Sequence, residues 1–225
     1  MIAVGSKNNF FGNADLERHS VGMKTITDAM LLRNRIIGLL ENASVETDPS
    51  LRRAMLTIIV AGGGFAGVET VGTINDFVRG SLRWYPELRM EKIRIVLIHS
   101  EETILPELGE ALGRYAHKKL ADRHVEILIN SRVVGYAAGQ VIVDKGESIP
   151  AATLIWTAGV IPAKLVANLP CKKEHGRLVV NEFLELPQHP RRLVIRRLRV
   201  GGGSQNGQGI PDHRATCSSA GKNSS

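Results

Sequence analysis

Apolar residues in this chain fall into short unbroken runs, separated by longer stretches in which they recur every three or four positions. The run "MLTIIVA" (55–61) is β-branched and ends in three glycines, the look of a strand buried on both faces. From Phe65 the period lengthens. Val68, Val71, Ile74 and Val78 fall on one stripe, which predicts a helix. "IRIVLIH" (93–99) predicts a second strand, "LGEALGRYAHKKLADR" (108–123) a second helix and "VEILI" (125–129) a third strand. Strand, helix, strand, helix, strand implies right-handed crossovers and a parallel sheet. The expected class is therefore α/β, a Rossmann-like parallel sheet with helices on both faces. A small β-meander is added by "RVVGYAAGQVIVDKGESIP" (132–150), which reads as two short strands joined by a glycine-containing turn. "TLIWTAGV" (153–160) reads as one more buried strand.

The first fifty residues carry a weaker version of this pattern. "MIAVGS" reads as the end of a buried strand running into a turn. In "TITDAMLLRNRIIGLLENA" the positions Met30, Leu31, Ile36, Ile37 and Leu40 repeat with helical spacing, and Thr27 or Asp28 is the expected cap. "SVETDPSLRR" is polar, contains proline, and reads as a linker.

The candidate chemistry lies where the first strand meets its helix. "VAGGGFAGVET" places Gly62, Gly64 and Gly67 in a G-x-G-x-x-G spacing, with Gly63, Phe65 and Ala66 between them. In a dinucleotide-binding turn the first glycine permits the tight turn off the strand. The second lets backbone approach the pyrophosphate, and the third lets the helix pack close to the sheet. The helix N-terminus then offers unpaired N–H groups and a positive dipole end to the phosphates. Isolated, the spacing is weak; a preceding strand and a following helix make it a site.

An acid near the end of the second strand would hold the adenosine ribose. That position is His99, with Glu101 and Glu102 just beyond, and no arginine follows to meet a 2′-phosphate, which favours NADH over its phosphorylated counterpart. Solvated glutamates would look the same in sequence. Glu69, two residues into the helix beyond Gly67, would face a bound cofactor, or else simply complement the helix dipole.

Charge at first points elsewhere. The chain has 29 lysines and arginines against 22 acids, a net charge of +7. Seven of those cations (Arg191, Arg192, Arg196, Arg197, Arg199, Arg214 and Lys222) lie beyond residue 190, beside the single acid Asp212. The basicity belongs to the tail. A tail-driven binder of nucleic acid or anionic surfaces is the alternative of another class, and no nucleic-acid partner is expected. Cys171 and Cys217 are far apart in sequence and form no metal or redox spacing, so no metal site is expected, and a reducing cytoplasmic setting is. The uncharged run Ala54–Val68 is broken by glycines and shorter than the ~20 apolar residues of a spanning helix.

Taken together, "VAGGGFAGVET", "ILPELGEALGRYAHKKL", "LIWTAGV" and "LPCKKEHGRLVVNEFLELP", with "AVGSKNNFFG" and "KTITDAMLLRNRI" before them, resemble the type II NADH dehydrogenases. These are FAD-dependent NADH:quinone oxidoreductases of the two-dinucleotide-binding flavoprotein superfamily. The resemblance implies hydride transfer from NADH to FAD and on to quinone, on the cytoplasmic face of a membrane, with peripheral association and a homodimer as family traits. It implies that Gly62, Gly64 and Gly67 bind NADH and that Glu69 sits beside the nicotinamide. Thr157, Ala158 and Gly159 would return the chain towards the flavin, and Ala3, Gly5 and Ser6 would match an earlier strand-turn near FAD. The alternative within the superfamily is the NADH-binding domain of another flavoprotein reductase, such as a ferredoxin or nitrite reductase. The segment "RGSLRWYPELRMEK" after the first helix and "LPCKKEHGRL" favour the NADH dehydrogenase side.

Several family motifs do not occur as written. These are an initial glycine motif for FAD, a later G-D motif, an A-Q-H segment near the flavin and a C-terminal membrane-binding region. Codons that encode residues 193–200, read one base later, can spell W-S-F-G-D-C-A. Those for 203–217 can spell D-P-K-T-G-K-A-Y-P-T-T-A-Q-H-A, and those for 219–222 R-Q-G-K. The expected organisation is thus a remnant of an FAD-binding domain (1–52), an NADH-binding domain (53–160), a return segment to the FAD domain (161–190) and a frameshifted, disordered tail (191–225). Such a chain is expected to bind FAD weakly or not at all and to have low or no activity.

Overall fold

The computed structural model describes residues 1–88, 93–144, 146–174 and 176–195, and the backbone of 199–201. The chain divides into two compact units, one of residues Val4–Leu169 and one of Met1–Ala3 with Pro170–Ser225.

In the larger unit the order is β1 (Ser6–Asn8), α1 (Ala14–His19), β2 (Ser20–Gly22), α2 (Ile26–Val45), α3 (Pro49–Met55), β3 (Thr57–Ala61) and α4 (Phe65–Ser81). There follow β4 (Arg94–Ile98), α5 (Glu110–Ala121), β5 (Val125–Leu128), β6 (Val133–Ala137), β7 (Gln140–Val143), β8 (Ser148–Pro150), β9 (Thr153–Trp156), β10 (Val160–Pro162) and α6 (Lys164–Ala167). Five strands form one parallel sheet in the order β2-β9-β3-β4-β5. The predicted β3–α4–β4–α5–β5 succession is its right-hand part as ordered here. β9 closes the other side of β3, pairing Ile59 with Leu154 and Ala61 with Trp156.

The sheet is apolar on both faces because successive side chains point to opposite sides. Ile58, Val60, Ile95, Leu97 and Ile155 pack with Leu32, Ile36 and Leu40 of α2, Val71, Ile74 and Val78 of α4 and Leu120 of α5. Their neighbours Ile59, Ala61, Val96, Ile98, Leu154 and Trp156 face the antiparallel meander β6-β7-β8 and Leu16 of α1. The long helices thus cover one face, and the meander with one short helix covers the other. Residues 132–150 hold three strands, not two, because Ser148–Pro150 adds antiparallel to β7.

Four local readings change. The cap of α2 is Thr25, not Thr27 or Asp28: its hydroxyl accepts from the Asp28 N–H, while Asp28 Oδ2 accepts from the Thr25 N–H at 2.9 Å, a capping box. The buried stripe of α2 is Leu32, Ile36, Leu40 and Ala43, whereas Met30 and Leu31 are exposed. The sequence "LLRNRII" offers two overlapping apolar registers, and packing into the core beneath the sheet selects one. Residues read as a linker instead form α3, with Asp48 accepting from the N–H groups of Ser50 and Leu51 and Pro49 in the first turn. "MIAVGS" is not a buried strand. Met1, Ala3 and Val4 are exposed and β1 begins only at Ser6, where it pairs antiparallel with β10.

Burial works to raise the pKa of Asp28, but hydrogen bonds from the backbone N–H groups of Lys24 and Thr25 and from the Thr25 side chain outweigh it. The carboxyl lies below its ordinary value. A depressed folded pKa means that the contribution is present above the unfolded carboxylate pKa and is lost as pH falls through the folded one. Asp28→Asn is therefore expected to flatten the acid side of the stability profile. Thermal melts across about pH 3 to 5 check this; a wild-type-like acid slope in the variant would rule it out.

In the smaller unit, β12 (Arg177–Val180) pairs antiparallel with β11 (Lys173–Glu174) and parallel with β15 (Arg199–Gly201), while β13 (Glu185–Leu186) and β14 (His189–Leu193) form a second antiparallel pair. Ile2 bridges Val194, and Leu178, Val180, Leu186 and Val194 are buried. Of the segment expected to be a frameshifted tail, residues 191–195 and the backbone of 199–201 belong to this unit; 196–198 and 202–225, with Cys217, lie outside the described residues. Among the described residues no helix is long and apolar enough to cross a membrane.

Candidate functional site

The chain leaves β3 towards β4 and β5, yet β9 returns on its opposite side. Strand order reverses there, and in open α/β sheets the crevice at the carboxyl ends of such strands is where ligands bind. The glycine turn sits at this point.

Gly62 has φ +109°, a conformation that disfavours any side chain. Its N–H donates to the Ile98 carbonyl of β4 at 2.8 Å. Thr157, which follows β9, locks the turn from the other side. Its N–H donates to the Ala61 carbonyl at 2.9 Å, and its hydroxyl lies within hydrogen-bond distance of the Ala61 and Gly62 carbonyls at 2.7 and 3.1 Å. Ala158 completes this wall: a Cβ on Gly62 would lie 2.8 Å from the Ala158 N and Cα.

The third glycine of the spacing is set by contact distance. A Cβ on Gly67 would lie 1.7 Å from the Gly62 carbonyl oxygen. Gly64 differs: nothing lies within 4 Å of its Cβ position, and as the N-cap of α4 it provides no side-chain hydrogen bond. The helix end therefore opens onto free space next to unpaired N–H groups, the arrangement that suits an anion. Phe65 and Ala66, in the first turn, are exposed.

Of the other predicted residues, Glu69 is exposed and lines a groove of about 470 Å³ between α2 and α4, with Arg33 and Met23 among its walls. Glu101 and Glu102 are exposed beyond the end of β4. His99 is 8% exposed, beneath the turn, where its Nδ1 accepts from the Gly63 N–H at 3.1 Å. Gly159 accepts from the Asn9 N–H through its carbonyl and lies against Phe11. Gly5 has φ +72° and its carbonyl accepts from the Ala163 N–H at 3.3 Å; the Ser6 hydroxyl accepts from Lys24 Nζ at 2.6 Å. Ala3 belongs to the smaller unit and is exposed.

Two contributors carried no sequence signal. The Leu105 N–H donates to the Gly63 carbonyl at 2.8 Å from a left-handed backbone with φ +52°. The Asn9–Phe11 segment reaches the end of β9, where the Trp156 indole donates to the Asn9 carbonyl at 2.8 Å. Both come from segments distant in sequence and brought there by the fold.

Fold and turn together define a Rossmann-like protein of the FAD/NAD-binding class. The chain belongs to the pyridine nucleotide-disulphide oxidoreductase family, whose sequence pattern it matches over residues 1–190. It is 32% identical to the type II NADH:quinone oxidoreductase NdhA of Mycobacterium tuberculosis over 87% of this chain and 44% of that one. It is 28% identical to the external alternative NADH-ubiquinone oxidoreductase of Yarrowia lipolytica mitochondria, over 82% of this chain and 34% of that one. The fold matches NDH2 from Plasmodium falciparum, solved in complex with NADH, with a TM-score of 0.76 and 23% identity over 84% of this chain and 41% of that one. The chain thus spans less than half the length of these relatives.

Proposed function

We propose that the Gly62–Gly67 turn binds the pyrophosphate of NADH, and that the chain is part of an FAD-dependent NADH:quinone oxidoreductase. The observation that carries this is the turn itself. Gly67 is pressed on the Gly62 carbonyl, Gly64 is open, and the end of α4 has no side-chain cap at the point where strand order reverses. The first-turn N–H groups of α4, with the backbone of Phe65 and Ala66, would take the phosphates. Glu101, with Glu102 beside it, would accept from the adenosine ribose hydroxyls and disfavour a 2′-phosphate by like charge. Glu69 would lie beside the nicotinamide, and Thr157, Ala158 and Gly159 would return the chain towards flavin. Ala3 and Gly5 would belong to the FAD side. Flavin, when bound, supplies the hydride acceptor and the reductant for quinone, while the protein orients and shields.

In this reading residues 1–52 belong to an FAD-binding domain, 53–160 are the NADH-binding domain and 161–190 the return segment. Peripheral association with the cytoplasmic face of a membrane and homodimer formation go with it. The βαβ site is self-contained, so the purified chain is expected to bind NADH, with a Kd in the micromolar to millimolar range (about −8 to −4 kcal/mol), and to carry little flavin. Fluorescence titration with NADH and the flavin absorbance of the purified chain check both. Absence of saturable NADH binding would sink the site, and a stoichiometric yellow protein would sink the flavin-poor reading.

We propose further that residues from about 191 onward are an out-of-frame translation. It is supported by the order of the family motifs that one shifted base produces. Resequencing across the codons for His189–Val200 is expected to find the extra base; an unaltered frame shared by close relatives would refute it.

A further inference from the structure

His99 occupies the place where a ribose-holding acid was expected, but it is turned inward. The residue is 8% exposed, and Nε2 is buried without a hydrogen-bond partner among the described residues. A ribose hydroxyl cannot reach a nitrogen so enclosed without displacing protein. The other nitrogen is engaged: Nδ1 lies 3.1 Å from the Gly63 backbone nitrogen and accepts its proton. An accepting nitrogen carries no proton of its own, so the neutral ring is protonated on Nε2.

The fit extends beyond that bond. A Cβ on Gly63 would lie 2.7 Å from His99 Cγ, 2.9 Å from His99 Cβ and 2.9 Å from Ile104 Cγ2. Glycine at 63 and imidazole at 99 are therefore a matched pair in van der Waals contact. The imidazole is itself anchored at the end of β4. The His99 N–H donates to the Leu128 carbonyl at 2.8 Å, and its carbonyl accepts from the Ser131 N–H at 2.9 Å. On the far side of Gly63, the carbonyl accepts from the Leu105 N–H at 2.8 Å. Both polar groups of Gly63 are thus committed to the protein.

We infer that His99 is a positioning residue: its Nε2-protonated imidazole fixes the Gly63 peptide from beneath, so that anion binding falls to the N–H groups from Gly64 onward. This rests on the dinucleotide reading of the turn for its functional consequence, though the hold itself exists without ligand. It also separates two tasks that one acidic side chain would otherwise serve. The buried imidazole shapes the turn, and the exposed Glu101 and Glu102 remain to meet the ribose.

The test uses the full chain with three side chains at position 99: the native histidine, His99→Asn and His99→Leu. Asparagine can place its carbonyl oxygen where Nδ1 accepts; leucine cannot accept. Without nucleotide, ¹⁵N NMR of the native ring should show a bare Nδ1 and a protonated Nε2. The Gly63 amide should exchange about three- to tenfold faster in His99→Leu than in the native protein, with near-native protection in His99→Asn. The interior amides of β3 and β4 should be unchanged. With NADH, His99→Leu should show a Kd raised by about three- to tenfold and His99→Asn a near-native value. A ring protonated on Nδ1, or a Gly63 amide equally protected in all three proteins, would overturn the inference. If His99→Leu does not fold, the native ring spectrum and the His99→Asn exchange decide it. Protection of the Gly63 amide that depends on the ring, with no NADH binding to any of the three, would support the hold and count against the dinucleotide reading alone.

Discussion

Gly67→Ala is expected to unfold or severely destabilise this protein. The added methyl carbon would stand 1.7 Å from the Gly62 carbonyl oxygen and 2.9 Å from Thr157 Oγ1. A flexible side chain could move aside, but a backbone carbonyl in this position cannot. Gly62 is held by the Ile98 carbonyl through its N–H and lies within reach of the Thr157 hydroxyl through its own oxygen. Relief would require sliding α4 away from β3, which would open the contacts of Val71, Ile74 and Val78 with the sheet. Overpacking of a rigid core costs about 1–3 kcal/mol and occasionally more, and a clash with backbone belongs at or above the top of that range. Urea denaturation should show a large fall in midpoint, or no folded baseline. A native midpoint would mean that the helix does not pack on the turn as described.

The second large effect falls on binding rather than folding. Gly64→Ala places its methyl where no atom lies within 4 Å, at φ −75°, which any residue adopts. The change in stability should stay under about 1 kcal/mol, since only the N-cap identity is altered. The same methyl projects into the space where backbone must approach the pyrophosphate. NADH affinity is expected to fall about tenfold or more, at least ~1.4 kcal/mol. The paired readout is a near-native urea midpoint with a weakened fluorescence titration. Unchanged affinity would remove Gly64 from the phosphate site and with it the proposed use of the helix N-terminus. Two glycines three residues apart thus report on two different quantities, one on packing and one on ligand approach.

The parts of the fold visible in sequence were those whose pattern is local. β3, β4 and β9 are almost wholly buried runs of four or five residues, and such runs, like the half-buried β5, announce themselves by composition. The stripe of α4 was legible because Val71, Ile74 and Val78 leave few ways to turn the helix. α2 was read in part: Ile36 and Leu40 face inward as expected, but Met30 and Leu31 are as apolar as Leu32, and which of them faces inward depends on the partner, not on the helix. α3 was hidden because Asp48 and Pro49 signal a break as readily as a helix start. At the candidate site the glycine spacing was plain, whereas Thr157 was singled out only through the family resemblance and not for the hydrogen bonds by which it locks the Gly62 turn. The inward turn of His99 was not, because a histidine at a strand end looks alike whether its ring meets solvent or the Gly63 N–H.

By itself the sequence determined the class of this protein: a buried parallel sheet, the glycine spacing after its first long strand, and the confinement of its net charge beyond residue 190. These depend on residue type and period, which a linear chain displays in full. Only the tertiary structure decided which glycine is pressed on backbone and which is open, that β9 sits beside β3 to make the crevice, and that His99 holds Gly63 from beneath. Each of those is a distance between segments far apart in sequence. Such distances are set by how sheet and helices close on one another, a property that no local pattern contains.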